Sequence, residues 1–237
     1  MTGTFINIAT VLVGGTLGLL FGARLPERVR TTVIAGLGLF TAAIGIQMFS
    51  TSNNAIVVLL SLLIGGVLGE WWRIEMRLQQ MGAWLEERFA GGDGETEGSN
   101  FIKGFLTASL VFCIGPLTIL GSIQDGLTGD YELLAIKSVL DGFAALAFAS
   151  SLGVGVLFSV IVILVFQGGL SLSATAASVF ITDAMVADMT AVGGVLLLGL
   201  AISSLLEIRS IRVGNFLPAL AIAPLIVALM AYLGIGG

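Results

Sequence analysis

The chain has 237 residues, of which 57% are hydrophobic and 11% are charged, and its mean hydropathy is +1.07. Because a soluble globular domain carries about 25% charged residues, this composition excludes that class and predicts an all-α polytopic membrane protein whose main partner is the lipid bilayer. The net charge of −5, the single cysteine and the lack of histidine give no sign of a nucleic-acid partner, and they exclude intrachain disulfides, histidine-ligated metals and histidine general bases.

Apolar runs bounded by polar residues predict seven spans: 4–22, 31–49, 54–72, 101–124, 132–150, 153–168 and 214–233. In a signal peptide the basic residues come before the apolar run, whereas here the arginines follow it. We therefore expect the first run to be retained as a membrane span. Residues 174–206 are too long for one straight span, because 33 residues make a helix of roughly 50 Å. We therefore predict a short or re-entrant helix, 174–189, followed by an eighth span, 190–206.

The positions of the basic residues predict the orientation of these eight crossings. Lysine and arginine accumulate in cytoplasmic loops, and nine of the ten basic residues fall on one side. Both termini are therefore predicted to lie outside the cytoplasm. The nine residues are Arg24, Arg28, Arg30, Arg73, Arg77, Arg88, Lys103, Arg209 and Arg212. The tenth, Lys137, lies inside a predicted span.

A change in composition near residue 90 predicts how the chain is organised. Residues 73–90 have an amphipathic helical pattern, which is typical of a helix on the membrane surface. The acidic, glycine-rich residues 91–99 predict a flexible linker. The linker separates an N-terminal three-helix part, 1–90, from a C-terminal five-helix part, 100–237.

Glycines recur at helical spacing in two similar segments. LVGGTLG at 12–18 returns as LIGGVLG at 63–69, and small residues four apart let helices approach closely in lipid. AGLGLFTAAIGIQ at 35–47 also resembles AVGGVLLLGLAIS at 191–203, and the eight-crossing topology gives these two segments opposite directions. The glycines indicate close helix packing, and the second pair predicts an inverted repeat.

Several longer motifs resemble one bacterial membrane protein family. These are FCIGPLTILGSIQDGLTGDY at 112–131, KSVLDGFAALAFASSLGVGVLFS at 137–159, AVGG at 191–194 and RVGNFLPALAIAP at 212–224. They are similar to the bacterial inner-membrane proteins grouped as domain of unknown function family 554. The resemblance covers nearly the whole chain and implies an inner-membrane location and a helical architecture. It implies no substrate.

Lys137 and Asp141 are the first candidate site residues. They lie four apart in one predicted span, so they share a helix face and can pair. Ionisable groups in hydrocarbon cost several kcal/mol, which makes them candidates for function by default. Asp141 is predicted to bind or relay a cation, while Lys137 sets the pKa of Asp141 or competes with the cation for it. The alternative is that each charge neutralises the other and fixes helix packing.

Two interrupted spans supply the next candidates. Gly115 and Pro116 break the span 101–124, and Gln124 and Asp125 follow at its end. Freed carbonyl groups are tolerated in a membrane where protein or a water-lined cavity surrounds them. The alternative is a proline kink whose end is capped by Gln124 and Asp125.

The last predicted span contains a second interruption. Asn215, Pro218 and Pro224 lie near its cytoplasmic end. Two interrupted helices that enter from opposite sides indicate a transporter site, so we expect both breaks to line one polar cavity with Asp141.

Asp183 and Asp188 complete the set of candidate residues. They are five apart, so on a regular helix they point about 140° away from each other. They line an outer vestibule if the helix is re-entrant. Otherwise they cap the membrane surface.

These residues favour a secondary transporter or permeation protein for a small solute or ion, with Asp141 and Asp125 responding to cations. The chain has no nucleotide-binding motif, and we expect neither a bound metal nor another cofactor. A membrane structural or assembly protein is the first alternative. An intramembrane aspartyl hydrolase is the second, but LTGD at 127–130 lacks the first glycine of the GxGD motif, so no enzymatic activity is expected. A homo-oligomer is expected, with a dimer favoured.

Overall fold

The structure is a computed structural model that describes residues 1–22, 26–89, 95–113, 116–175 and 181–233. The chain is an all-α polytopic membrane protein. Its helices are α1 (Thr2–Gly22), α2 (Glu27–Phe49), α3 (Ala55–Trp72), α4 (Ile74–Phe89), α5 (Glu95–Cys113), α6 (Pro116–Thr128), α7 (Glu132–Leu152), α8 (Gly155–Leu172), α9 (Asp183–Leu200) and α10 (Pro218–Tyr232). A π-helical turn, Ala201–Leu205, extends α9, and a 3₁₀ turn, Val213–Phe216, precedes α10.

Seven of the described helical segments are long and apolar enough to cross a membrane, or eight if α5 and α6 together form one bent span. The predicted boundary at residue 189 is wrong. One span runs from Asp183 to Leu205, 23 residues, because Thr182 caps its N-terminus by accepting a hydrogen bond from the backbone N–H of Met185. The part of the predicted re-entrant helix at 176–180 lies outside the described residues.

The predicted interruption of the fourth span falls between α5 and α6. The axes of these helices differ by 62°. Gly115 lies outside the described residues, and Pro116 is the first residue of α6. The Thr118 hydroxyl donates to the backbone carbonyl of Phe112 at 3.2 Å, so a side chain satisfies a carbonyl at the end of α5.

The described residues form two compact units, and each contains segments from both sides of the predicted linker. Unit 1 comprises Met1–Gly38 and Gln79–Val179, and unit 2 comprises Leu39–Leu78 and Phe180–Gly237. Within 91–99, residues 95–99 belong to α5, and residues 91–94 lie outside the described part of the chain. The amphipathic segment forms α4, as predicted.

In unit 1, α1 and α7 pack through glycines. A Cβ atom on Gly14, Gly18 or Gly22 would overlap a backbone carbonyl of α7, so the two helices touch backbone to backbone. The three carbonyls belong to Gly142, Leu146 and Ser150, respectively. Because both sets of numbers increase together, α1 and α7 run parallel. The same direction is expected for α1 and α7 if α2 and α3 each cross the membrane once and α5 and α6 together cross it once.

In unit 2, the related glycines make an antiparallel contact. A Cβ on Gly65 would overlap Ala219, and one on Gly69 would overlap the carbonyl of Asn215. The two similar segments 35–47 and 191–203 also meet in this unit, where Gly45 and Gly194 approach each other's backbone. Ser52, just after α2, contacts Asp188 near the start of α9, so α2 and α9 run in opposite directions.

Candidate functional site

The Lys137–Asp141 pair lies at the centre of a buried polar cluster in unit 1. The Lys137 ammonium group forms an ion pair with Oδ2 of Asp141, as the spacing of four along α7 predicted. The two residues are 6% and 8% exposed, respectively. The cluster therefore holds both a cation and an anion inside a membrane helix bundle.

Two amide side chains connect this pair to neighbouring helices. Asn7 Nδ2 on α1 donates to Oδ2 of Asp141 at 3.0 Å and to Oε1 of Gln167 on α8 at 2.9 Å. Gln167 Nε2 in turn donates to the Thr4 hydroxyl at 3.3 Å. These contacts define the polar cluster: Thr4, Asn7, Lys137, Asp141 and Gln167, from three helices.

The glycines of α1 explain how Asn7 reaches Asp141. Asn7 precedes Gly14 by seven residues, so the two lie on the same face of the helix. Gly3 contacts Leu134 and Gly14 contacts Gly142, so the part of α1 that contains Asn7 lies along the part of α7 that contains Asp141. Asn7 is fully buried, and its Oδ1 has no hydrogen-bond partner among the described residues. The cluster therefore contains a spare oxygen acceptor beside a carboxylate.

Asp125, at the second predicted position, is also buried in unit 1. Its Oδ2 accepts a hydrogen bond from the backbone N–H of Gly3 at 3.1 Å and lies 2.9 Å from the ammonium group of Met1. Its Oδ1 has no partner among the described residues. Gln124 lies next to it but donates instead to the exposed Asp130 at 2.7 Å.

The remaining predicted residues belong to unit 2. Asn215 is buried and serves as a structural connector: it donates to Glu70 at 2.6 Å and accepts from the backbone N–H of Glu75 at 2.8 Å. Pro218 begins α10. One polar cavity shared by both helix breaks and Asp141 stays a prediction.

The two aspartates of α9 differ, as their spacing predicted. Asp183 is exposed in the first turn, where the positive end of the helix dipole favours an acidic residue. Asp188 is buried and accepts a hydrogen bond from the Ser52 hydroxyl at 2.9 Å. The two carboxylates therefore have different surroundings.

Sequence reasoning missed Asn7, Gln167 and Thr4. The available signal was a carboxamide inside each of two apolar runs, INIATVLV and ILVFQGGL. A polar side chain in a membrane helix usually bonds across to another helix. The sequence alone does not show which helix provides the partner.

The fold and the cluster define a multi-pass α-helical membrane protein with a buried ion pair. The chain belongs to the family described as "Protein of unknown function (DUF554)", whose profile matches residues 2–228, which confirms the resemblance seen in the motifs.

Two bacterial relatives cover nearly the full length. The chain is 36% identical over 221 residues to "Uncharacterized protein YqgA" of Escherichia coli strain K12, covering 93% of this chain and 94% of that protein. It is 30% identical over 239 residues to "Uncharacterized membrane protein YdfK" of Bacillus subtilis strain 168, covering 99% of each. No solved structure matches the chain.

Proposed function

We propose that this protein is a secondary transporter or permeation protein for a small solute or ion, and that the polar cluster around Asp141 is its cation-responsive site. The observation that supports this proposal is the buried Lys137–Asp141 pair, bonded through Asn7 to Gln167 on a third helix. Burying an ion pair is often no more stabilising than burying apolar side chains of similar size. Its presence inside a membrane bundle therefore favours a role beyond packing.

The cluster supplies the parts of a cation exchange. In the state described, the Lys137 ammonium group is the cation that Asp141 holds. A monovalent cation that takes this place on Asp141 removes the partner of Lys137, which then releases its proton. One cation enters for each proton that leaves, and the buried charge stays constant. The spare Oδ1 of Asn7 is an additional oxygen ligand for the incoming ion.

The membrane setting of this activity is also proposed. The protein lies in the bacterial inner membrane with both termini outside the cytoplasm, since nine basic residues share one side of the eight-crossing scheme. The chain carries no nucleotide motif, so an ion or solute gradient drives movement. Reporter fusions after residue 233 and within 91–94 test the orientation, and cytoplasmic activity of the C-terminal fusion contradicts it.

Thermal unfolding of the purified protein tests the cation-responsive site. Monovalent chlorides, small organic acids, amino acids and amines are screened at constant ionic strength, because binding to the folded state raises apparent stability. We expect at least one cation to stabilise the wild type, and the double variant Lys137→Met/Asp141→Asn to lose the part of that response that depends on Asp141.

The matched control for this screen is Glu132→Gln. Glu132 is an exposed carboxylate in the first turn of the same helix, α7. It should leave the response intact. Retention of the full response by the double variant, or loss of it in the control, argues against Asp141 as the responsive group.

A structural or assembly role is the second candidate. It is favoured by the glycine contacts of α1 with α7 and by the groove of about 370 Å³ beside them, which is lined by apolar side chains and glycines apart from Thr10. In this case the ion pair only fixes the register of α1 against α7. The double variant would then keep every activity of the wild type.

A further inference from the structure

Outside the Asp141 cluster, four buried side-chain oxygens of unit 1 have no hydrogen-bond partner among the described residues: those of Thr107, Ser109, Asp125 and Ser171. Oδ1 of Asp125 and the hydroxyl of Ser171 lie on neighbouring helices, α6 and α8, and their residues are 3% and 4% exposed, respectively. A buried polar atom without a partner is uncommon in folded proteins and indicates strain, water or an ion that occupies the space. Neither oxygen has a partner among the described residues.

Helix register places Asp125 and Ser171 in the same layer of the bundle. A Cβ on Gly126 would overlap the backbone carbonyl of Ser171, so the residue after Asp125 abuts the last turn of α8. The same aspartate contacts Gly3 at the start of α1. Because Gly3 precedes Asn7, and Gln167 precedes Ser171, by four residues each, this layer lies about one helical turn, ~6 Å, from the Asn7–Gln167 contact.

The charges around this layer favour a cation. Helix α8 ends at Leu172, so the negative end of its dipole lies beside Ser171. The C-terminal ends of helices coordinate Na⁺ and protons in membrane transporters. Asp125 provides one carboxylate, and the Met1 ammonium already pairs with its other oxygen. This single, partly compensated negative charge suits a monovalent ion better than a divalent one, whose sites recruit more carboxylates.

We propose that Asp125 Oδ1 and the Ser171 hydroxyl bind a small monovalent cation, of the Na⁺ class. This second cation site, called the second station below, lies one helical turn from the Asp141 cluster. The binding claim stands on these atoms alone. Its role as the entry to a transport pathway rests on the proposed function of Asp141.

Ser171→Ala is the discriminating variant. Because the Ser171 hydroxyl makes no hydrogen bond to any of the described residues, its removal should leave the unfolding midpoint in choline chloride unchanged. In NaCl titrations at constant ionic strength, we expect this variant to lose Na⁺ affinity by about tenfold or more relative to the wild type. Asp125→Asn should lose it as well, and LiCl and KCl series report the preferred ion size.

Ser173→Ala is the control, because Ser173 is exposed and bonds to carbonyls of its own helix. It should keep wild-type affinity. A wild type that shows no Na⁺-dependent stabilisation overturns the second station. Wild-type affinity in Ser171→Ala also overturns it and assigns the space to water.

The double variant Lys137→Met/Asp141→Asn separates the two proposals. A Na⁺ response that persists in Ser171→Ala but disappears in the double variant sinks the second station and leaves the proposed function standing. A response that persists in the double variant but disappears in Ser171→Ala supports the second station and removes the cation role from Asp141.

Discussion

The two units each contain a carboxylate paired with a basic side chain, but in opposite surroundings. In unit 1, the side chains of Lys137 and Asp141 are 7% and 11% exposed. In unit 2, the side chains of Arg212 and Glu70 are 71% and 59% exposed, and their atoms lie 2.8 Å apart. The glycine motifs that support the two regions are nearly the same in sequence.

This difference shows that the same kind of ion pair does different work in the two units. An exposed pair is screened and contributes about 0–1 kcal/mol, so the Glu70–Arg212 pair is suited to orienting the chain before α10. A buried pair requires two ions to lose their hydration, and the loss of one partner leaves an uncompensated charge. Of these two pairs, Lys137–Asp141 is the one that makes the fold sensitive to the charge state of one residue.

The largest expected effect is that of Asp141→Asn. The change leaves the Lys137 ammonium buried without its partner, which should lower the free energy of unfolding by about 3–5 kcal/mol. Adding Lys137→Met removes that charge and should restore most of the loss. Denaturant titration in detergent measures both variants, and equal stability of the single and double variants would show that the two charges are not coupled.

Gly18→Ala should have an intermediate effect. Its Cβ would overlap the Leu146 carbonyl and push α1 from α7, at a cost of about 1–3 kcal/mol. Gly69→Ala should behave alike in unit 2, where it meets the Asn215 carbonyl. The matched control is Gly36→Ala, because a Cβ there meets nothing within 4 Å and alanine stabilises a helix by about 0.5–1 kcal/mol over glycine.

These glycine variants sharpen the comparison of the two units. Similar losses for Gly18→Ala and Gly69→Ala would show that both units depend equally on backbone contact. A loss in Gly36→Ala as large as in Gly18→Ala would instead assign the effect to the helix itself rather than to the contact.

The smallest effect is expected for Arg212→Gln. The variant breaks the exposed pair with Glu70, whose contribution is about 1 kcal/mol or less, and high salt should remove the difference from the wild type. Unfolding in low and high NaCl measures it. A loss of stability as large as that of Asp141→Asn would show that the exposed pair matters as much to the fold as the buried pair.

Short-range patterns predicted the membrane spans and the ion pair of α7. Apolar length identifies a span directly, and a spacing of four places Lys137 beside Asp141 on one face whatever the tertiary structure. The predicted boundary at residue 189 is wrong because it was derived from the length of the segment, and length does not show where a helix is capped. The Thr182 cap starts α9 at Asp183, so the span has 23 residues rather than the 17 of the predicted segment 190–206.

The long-range part of the site could not be predicted in the same way. Asn7 meets partners 134 and 160 residues away, and its pattern in sequence is a single amide in an apolar run. The glycines of α1 predicted a close helix neighbour but not its identity. The prolines beside Asn215 indicate a helix break in the sequence, but its partners Glu70 and Glu75 lie in distant segments that this pattern does not reveal.

Proton movement in proteoliposomes tests the central claim most directly. The wild type, Glu132→Gln and Lys137→Met/Asp141→Asn are reconstituted at equal density with a pH-sensitive dye inside. A gradient of the most stabilising cation is then imposed. We expect cation-driven proton movement for the wild type and Glu132→Gln, and only the protein-free rate for the folded double variant. Proton movement at the wild-type rate in the double variant would contradict the role of the buried pair.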